Sequence, residues 1–223
     1  MEIVPGIHQV DGVKGNCFII VRDDLTLIDT GMPKNSAKIV QYIQDILKRK
    51  PSDIKTIVLT HFHVDHVGDA FDLKKLSGAK VAIHEADADY VSGRKTPPVP
   101  GGAKGMVFKV LMPLFFRSKP VEPDIQLSDR DTIAGLATIH TPGHTPGSIC
   151  LFDPASKILF AGDLLRFDGI TIKTGPLPLD TREVQQSINK IAAIDFDIML
   201  PGHGIPLRPD ASVKVREFAK SLP

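Results

Sequence analysis

Apolar residues recur along the chain in two rhythms. Short continuous runs such as Phe18-Ile19-Ile20-Val21, Leu25-Thr26-Leu27-Ile28 and Ile57-Val58-Leu59 read as buried strands. Asn16 to Val21 and Leu25 to Asp29 are separated by Arg22-Asp23-Asp24, the pattern of a hairpin. From Lys34 to Lys48 the apolar positions Ala37, Val40, Ile43, Ile46 and Leu47 fall at helical spacing, and Pro51 closes that segment. The strand ending at Leu59 is followed by a predicted helix through Val67, Ala70, Phe71, Leu73 and Leu76, which Gly78 terminates. This places Asp65 and His66 near the positive end of that helix. A strand over 79–83 and a short helix over 85–91 complete the first half.

After an interruption, strands are predicted at 131–133, 136–141, 148–152 and 158–161, then a helix over 181–194 with Val184, Ile188, Ile191 and Ala192 on one side. A last strand, 198–200, precedes a terminal helix over 210–222 that Asp210 is expected to cap. The halves echo one another, with strands running into a carboxylate or histidine and helices outside, which suggests helix-sheet-sheet-helix layering. The interruption itself, at about 96–123, holds prolines at 97, 98, 100, 113, 120 and 123 around the apolar run Met106 to Phe116. It reads as an insertion with its own greasy patch, either a wall of a substrate pocket or ordinary packing or a subunit contact.

Composition narrows the class. A chain of 223 residues with 42% hydrophobic and 24% charged positions can bury one sizeable core, so residues 1–223 are expected to form a single domain. The net charge of +1 and the lack of a Lys/Arg block argue against a nucleic-acid partner. Cys17 and Cys150 each lie in an apolar run and read as core thiols. The amino-terminal stretch has no signal-peptide pattern, and no apolar run is long enough to span a bilayer; the expectation is a cytoplasmic protein with no membrane partner.

The chemistry is concentrated in Thr60-His61-Phe62-His63-Val64-Asp65-His66-Val67-Gly68-Asp69. Three histidines and a carboxylate within six residues, directly after a strand, offer the nitrogen and oxygen donors that a borderline divalent metal prefers. Thr141-Pro142-Gly143-His144, Ala161-Gly162-Asp163 and Pro201-Gly202-His203-Gly204 repeat the theme. The glycines beside His144 and His203 allow the backbone to turn sharply enough to point a ligand inward. Seven such donors exceed the needs of one tetrahedral zinc, and the count fits two metals sharing a carboxylate. His84 and His140 read as structural, and His8 as a surface residue. No G-x-S-x-G, phosphate loop or H-E-x-x-H occurs.

These motifs resemble the metallo-β-lactamase-fold superfamily of metal-dependent hydrolases. His61, His63, Asp65 and His66 fill its H-x-H-x-D-H motif, and Asp29-Thr30-Gly31 matches its early Asp-Thr-Gly element, with the likeness running from about residue 7 to about 205. The resemblance implies an α/β fold, a four-layer αββα sandwich. It assigns His61, His63 and His144 to a first metal and Asp65, His66 and His203 to a second, with Asp163 bridging. It also implies two divalent ions, zinc foremost with iron or manganese as alternatives, roughly 3.5–4 Å apart and activating a water as nucleophile. Asp65 would orient that water or shuttle its proton. Asp29 either fixes a ligand histidine or simply terminates its strand.

Asp163 stands where dedicated β-lactamases of this fold usually carry cysteine or serine, which points to the glyoxalase II-like and lactonase-like branches. The expected substrate is a small ester, thioester, lactone or lactam. Only a short stretch follows His203, unlike the glyoxalase II pattern, and the tyrosine common in acyl-homoserine-lactone lactonases is absent from Leu164-Leu165-Arg166-Phe167. Arg166 is read as a surface salt-bridge residue in preference to an anion binder. The alternative class is a persulfide dioxygenase-like oxidoreductase with a single iron held by two histidines and an aspartate. A homodimer is left open.

Overall fold

The computed structural model describes residues 1–98 and 118–222. The apolar run Met106 to Phe116 lies outside the described residues. The chain separates into two compact units, Met1–Gln126 and Leu127–Pro223.

The first unit is built on a seven-stranded sheet whose strands follow chain order: β1 (Glu2–Val4), β2 (Ile7–Gln9), β3 (Phe18–Val21), β4 (Leu25–Ile28), β5 (Ile54–Val58), β6 (Lys80–His84) and β7 (Ile125–Leu127). The first four pair antiparallel, with the predicted hairpin as β3 and β4. β4, β5 and β6 are parallel, so each must be reached by a crossover. Helix α1 (Ser36–Asp45) supplies one; the short α2 (Val64–Val67) and α3 (Ala70–Ser77) supply the next; α4 (Glu85–Val91) follows β6. Ile19, Leu25, Leu27, Ile39, Ile43, Ile57, Leu59, Leu73, Val81 and Ile83 are fully buried in one core cluster. Each such side chain contributes about 1.5–3 kcal/mol on leaving water, which holds the strand ends rigidly. Three parallel strands therefore release their carboxyl ends at one edge of the sheet, where open α/β sheets place their ligands.

The single helix expected after the histidine cluster is two helices. Gly68 stands between them because the turn at 31–33 packs on its backbone; a Cβ there would lie 2.3 Å from Pro33 N and 2.5 Å from Gly31 O. Asp65 and His66 consequently lie inside α2 and not ahead of a long helix. The strands β1 and β2 precede everything expected for the sheet. They bury His8, whose Nδ1 lies 3.2 Å from the Tyr42 hydroxyl; the surface placement expected for His8 is corrected by its position on a strand whose neighbours cover it.

The second unit carries a five-stranded sheet of order β14-β11-β10-β9-β8, with β8 (Thr132–Ile133), β9 (Leu136–His140), β10 (Ile149–Asp153), β11 (Ile158–Gly162) and β14 (Ile198–Pro201). β11 and β14 are parallel, joined across the helix α5 (Thr181–Ala192). A separate hairpin, β12 (Leu165–Phe167) with β13 (Ile172–Thr174), follows β11 directly. Val184, Ile188 and Ile191 of α5 pack with Leu159, Phe196 and Met199. Asp180 caps α5 by accepting from the backbone N–H groups of Arg182 and Glu183. Asp210 does not cap the terminal helix α6 (Ala211–Ser221): it sits in the left-handed region at φ 58°, and its side chain makes no cap bond. Cys17 and Cys150 are buried free thiols, as expected. Among the described residues no helix is long and apolar enough to cross a membrane.

Candidate metal centre

In the first unit the predicted ligands emerge as the chain leaves β5. Asp29, at the end of the neighbouring β4, organises them. Its Oδ1 accepts the backbone N–H of Thr60 at 2.8 Å, and its Oδ2 accepts the Thr60 hydroxyl and His66 Nδ1, each at 2.8 Å. Having given its proton to Asp29, the Thr60 hydroxyl can only accept from His61 Nδ1, 3.1 Å away. Both His61 and His66 thus carry their proton on Nδ1 and leave Nε2 with a lone pair. Asp29 does more than end its strand: it holds the His66 ring and, through Thr60, the His61 ring.

The donor atoms lie close together. His61 Nε2 lies 3.1 Å from His63 Nδ1, and His66 Nε2 lies 3.9 Å from Asp65 Oδ2. The ring centroids of His61 and His66 are 4.2 Å apart. Two nitrogens bound tetrahedrally at ~2.0–2.1 Å from one zinc would stand ~3.3 Å apart, close to the His61–His63 spacing. His61 and His66 are fully buried, whereas the Asp65 side chain keeps 31% of its surface open. The donor set is hard-to-borderline N and O, without thiolate, and fits a divalent ion such as zinc.

The second unit brings its three predicted ligands together as well. His144 follows the turn after β9, where Gly143 has φ 116°. A side chain at Gly143 would meet Val184 N at 2.4 Å, because the start of α5 lies against it; Leu179 and Asp180 both donate to the Gly143 carbonyl, at 2.8 and 2.9 Å. Parallel β11 and β14 end side by side, with Gly202 N donating to Gly162 O at 2.7 Å, and so deliver Asp163 and His203 as neighbours. Asp163 Oδ2 stands 3.6 Å from His144 Nε2 and 3.4 Å from His203 Nε2. One carboxylate oxygen between two imidazoles is the disposition a bridging ligand needs.

Other predicted residues fall outside these clusters. His84 Nδ1 accepts the Ala86 N–H and caps α4, and His140 Nε2 lies 2.9 Å from the Pro146 carbonyl; both are structural, as expected. Arg166 is exposed on β12, and the expected salt bridge is not formed with any described residue; the cross-strand Lys173 takes Asp168 instead. Three contributors had no signal in the sequence. Thr60 relays Asp29 to His61. Asp69 holds the start of α1 from across the chain, accepting from Lys34 N at 2.9 Å and from Ser36 N. Asp87, fully buried on α4, accepts the N–H of Phe62 at 3.1 Å.

Comparison with known proteins identifies the family. Residues 10–203 match the family model described as the metallo-beta-lactamase superfamily. A probable metallo-hydrolase of Bacillus subtilis, YflN, is 31% identical, covering 92% of this chain and 86% of its own length. The human acyl-coenzyme A thioesterase MBLAC2 is 30% identical over 86% of this chain and 74% of its own. Among solved structures, the metallo-beta-lactamase GOB-18 of Elizabethkingia meningoseptica superposes with a TM-score of 0.71 at 25% identity, covering all of this chain and 88% of that one. The chain belongs to the metallo-β-lactamase superfamily and has its α/β fold.

Proposed function

We propose that this protein is a hydrolase of acyl thioesters that works with two divalent metal ions, zinc being the best match to its donors. The observation that carries the reading is the preparation of the ligands: Asp29 and Thr60 hold His61 and His66 with Nε2 lone pairs presented, and Asp163 Oδ2 lies between His144 and His203. In this reading residues 1–223 act as one domain. His61, His63 and His144 hold one ion, Asp65, His66 and His203 the other, and Asp163 joins them. The chemistry such ions supply when bound is polarisation of an acyl carbonyl and a lowered pKa for water.

The protein's own groups do the rest. Asp65, with its partly open carboxylate, accepts the proton of the attacking water at Oδ1 or Oδ2 and returns it to the departing sulfur. Buried Asp29 keeps the His66 ring from turning as charge shifts around it. Arg166, three residues past Asp163 and without an acid partner among the described residues, is available to an anionic group on the substrate. Asp163 in place of a thiol, together with the activity named for MBLAC2, favours a thioester over a lactam.

Metal analysis of the purified protein, coupled to a panel of acyl thioesters, lactones and a chromogenic cephalosporin, tests this. Two zinc ions per chain and thiol release fastest from thioesters is the expected result. One iron per chain with oxygen consumed on a persulfide substrate would replace it with a dioxygenase.

A further inference from the structure

The middle residue of His61-Phe62-His63 is gripped from outside the motif. α4 leaves the end of β6, the strand parallel to β5, so its first turn comes up against the histidine loop. Two residues one turn apart on α4 both contact Phe62. The Asp87 carboxylate accepts the Phe62 N–H at 3.1 Å, and the Tyr90 ring meets the Phe62 ring at 4.9 Å with a 56° tilt. Phe62 in turn packs edge-on against His63, at 4.8 Å and 81°. A carboxylate with no solvent exposure is costly to bury, and its position is set by the few groups that satisfy it. The peptide it holds lies between the two imidazoles whose nitrogens face one another at 3.1 Å.

We propose that Asp87 and Tyr90 form a positioning clamp on Phe62, which sets the spacing of His61 and His63 and with it the affinity for the ion those residues hold. The inference rests on the metal-centre reading above. The clamp acts through the loop: Asp87 fixes the peptide plane, and Tyr90 fixes the ring that orients His63. Neither residue is a ligand.

The test compares wild-type protein with Asp87→Ala, Asp87→Asn and Tyr90→Leu. Zinc affinity is measured by competition with a chromophoric chelator, and ligand geometry by the visible spectrum of the cobalt-substituted protein. Asp87→Ala should weaken one of the two ions by about 10–100-fold, leave the other nearly unchanged and shift the cobalt bands. Asp87→Asn, which keeps an acceptor oxygen, should recover most of that loss; Tyr90→Leu should show a smaller, several-fold weakening. Wild-type affinity and spectrum in Asp87→Ala and Tyr90→Leu, with only the melting temperature lowered, would overturn the clamp. Should Asp87→Ala not fold, Tyr90→Leu decides alone: an unchanged affinity and spectrum overturns the proposal. A wild-type protein that binds two ions yet cleaves no thioester removes the substrate assignment and leaves the clamp standing, whereas one that binds no ion removes both.

Discussion

Asp29 Oδ2 and His66 Nδ1 are 2.8 Å apart, and both side chains are almost wholly buried. That one contact ties the end of β4 to a histidine carried on α2, and the same oxygen accepts the Thr60 hydroxyl, which sets the tautomer of His61. A carboxylate behind a metal-binding imidazole raises its basicity and stops it rotating.

Asp29→Ala should therefore lower zinc affinity by about 10–100-fold. It should also destabilise the metal-free protein, because the Thr60 N–H is left buried without an acceptor, at roughly 1–3 kcal/mol. Chelator competition measures the first effect and chemical denaturation the second. Loss of stability with full affinity would show that Asp29 serves the strand end alone.

Gly143 is a second point where the backbone carries the site. Its φ of 116° disfavours any side chain, and the Val184 amide stands where a Cβ would go. Gly143→Ala should cost about 2 kcal/mol or more from backbone strain and overpacking combined. It should also push the turn that carries His144 away from α5, so denaturation midpoints and zinc stoichiometry should fall together. An Ala variant of wild-type stability would contradict the packing described for this turn.

Much of this was readable in the chain because the candidate ligands are local signals on strong strands. His61 to His66 lie within six residues after a fully apolar run, and His144, Asp163 and His203 each adjoin a glycine at a strand end. What escaped depends on distance in sequence. Asp69 accepts the N–H of Ser36 at the start of α1, 33 residues away. Asp87 is one acid among several in Glu85-Ala86-Asp87-Ala88-Asp89, and only the parallel pairing of β5 and β6 brings it to Phe62. β1 and β2 are three residues each, too short for a period to show, which is why His8 reads as a surface residue in the sequence. Asp210 has the composition of a cap but a backbone conformation that turns its carboxylate elsewhere.

His8 gives a pH signature. Burial lowers its pKa below 6.5, against a smaller opposing pull from Glu2. Folding then favours the neutral ring, so its contribution is present above the unfolded-state value and is lost as pH falls through the folded one. Stability of the wild type relative to His8→Phe should decline as pH drops below about 6.5. Paired denaturation curves between pH 5 and 8 check this; a difference constant across that range would refute it.

Arg166 offers the sharpest test of substrate class. It stands on β12 opposite Lys173, whose ammonium is held by Asp168 at 2.7 Å, so the guanidinium is the cation of that pair left open among the described residues. An exposed guanidinium three residues past Asp163 gains most from a substrate that brings a phosphate or carboxylate, which it can bind in a bidentate manner. Arg166→Ala should raise KM for a phosphate-bearing acyl thioester by about tenfold, the worth of ~1.4 kcal/mol, with kcat little changed. KM for a neutral thioester of the same acyl chain should stay within twofold. Arg166→Lys should recover only part of the loss, since an ammonium keeps the charge without the fork. Equal effects on charged and neutral substrates would place Arg166 outside the recognition of the leaving group.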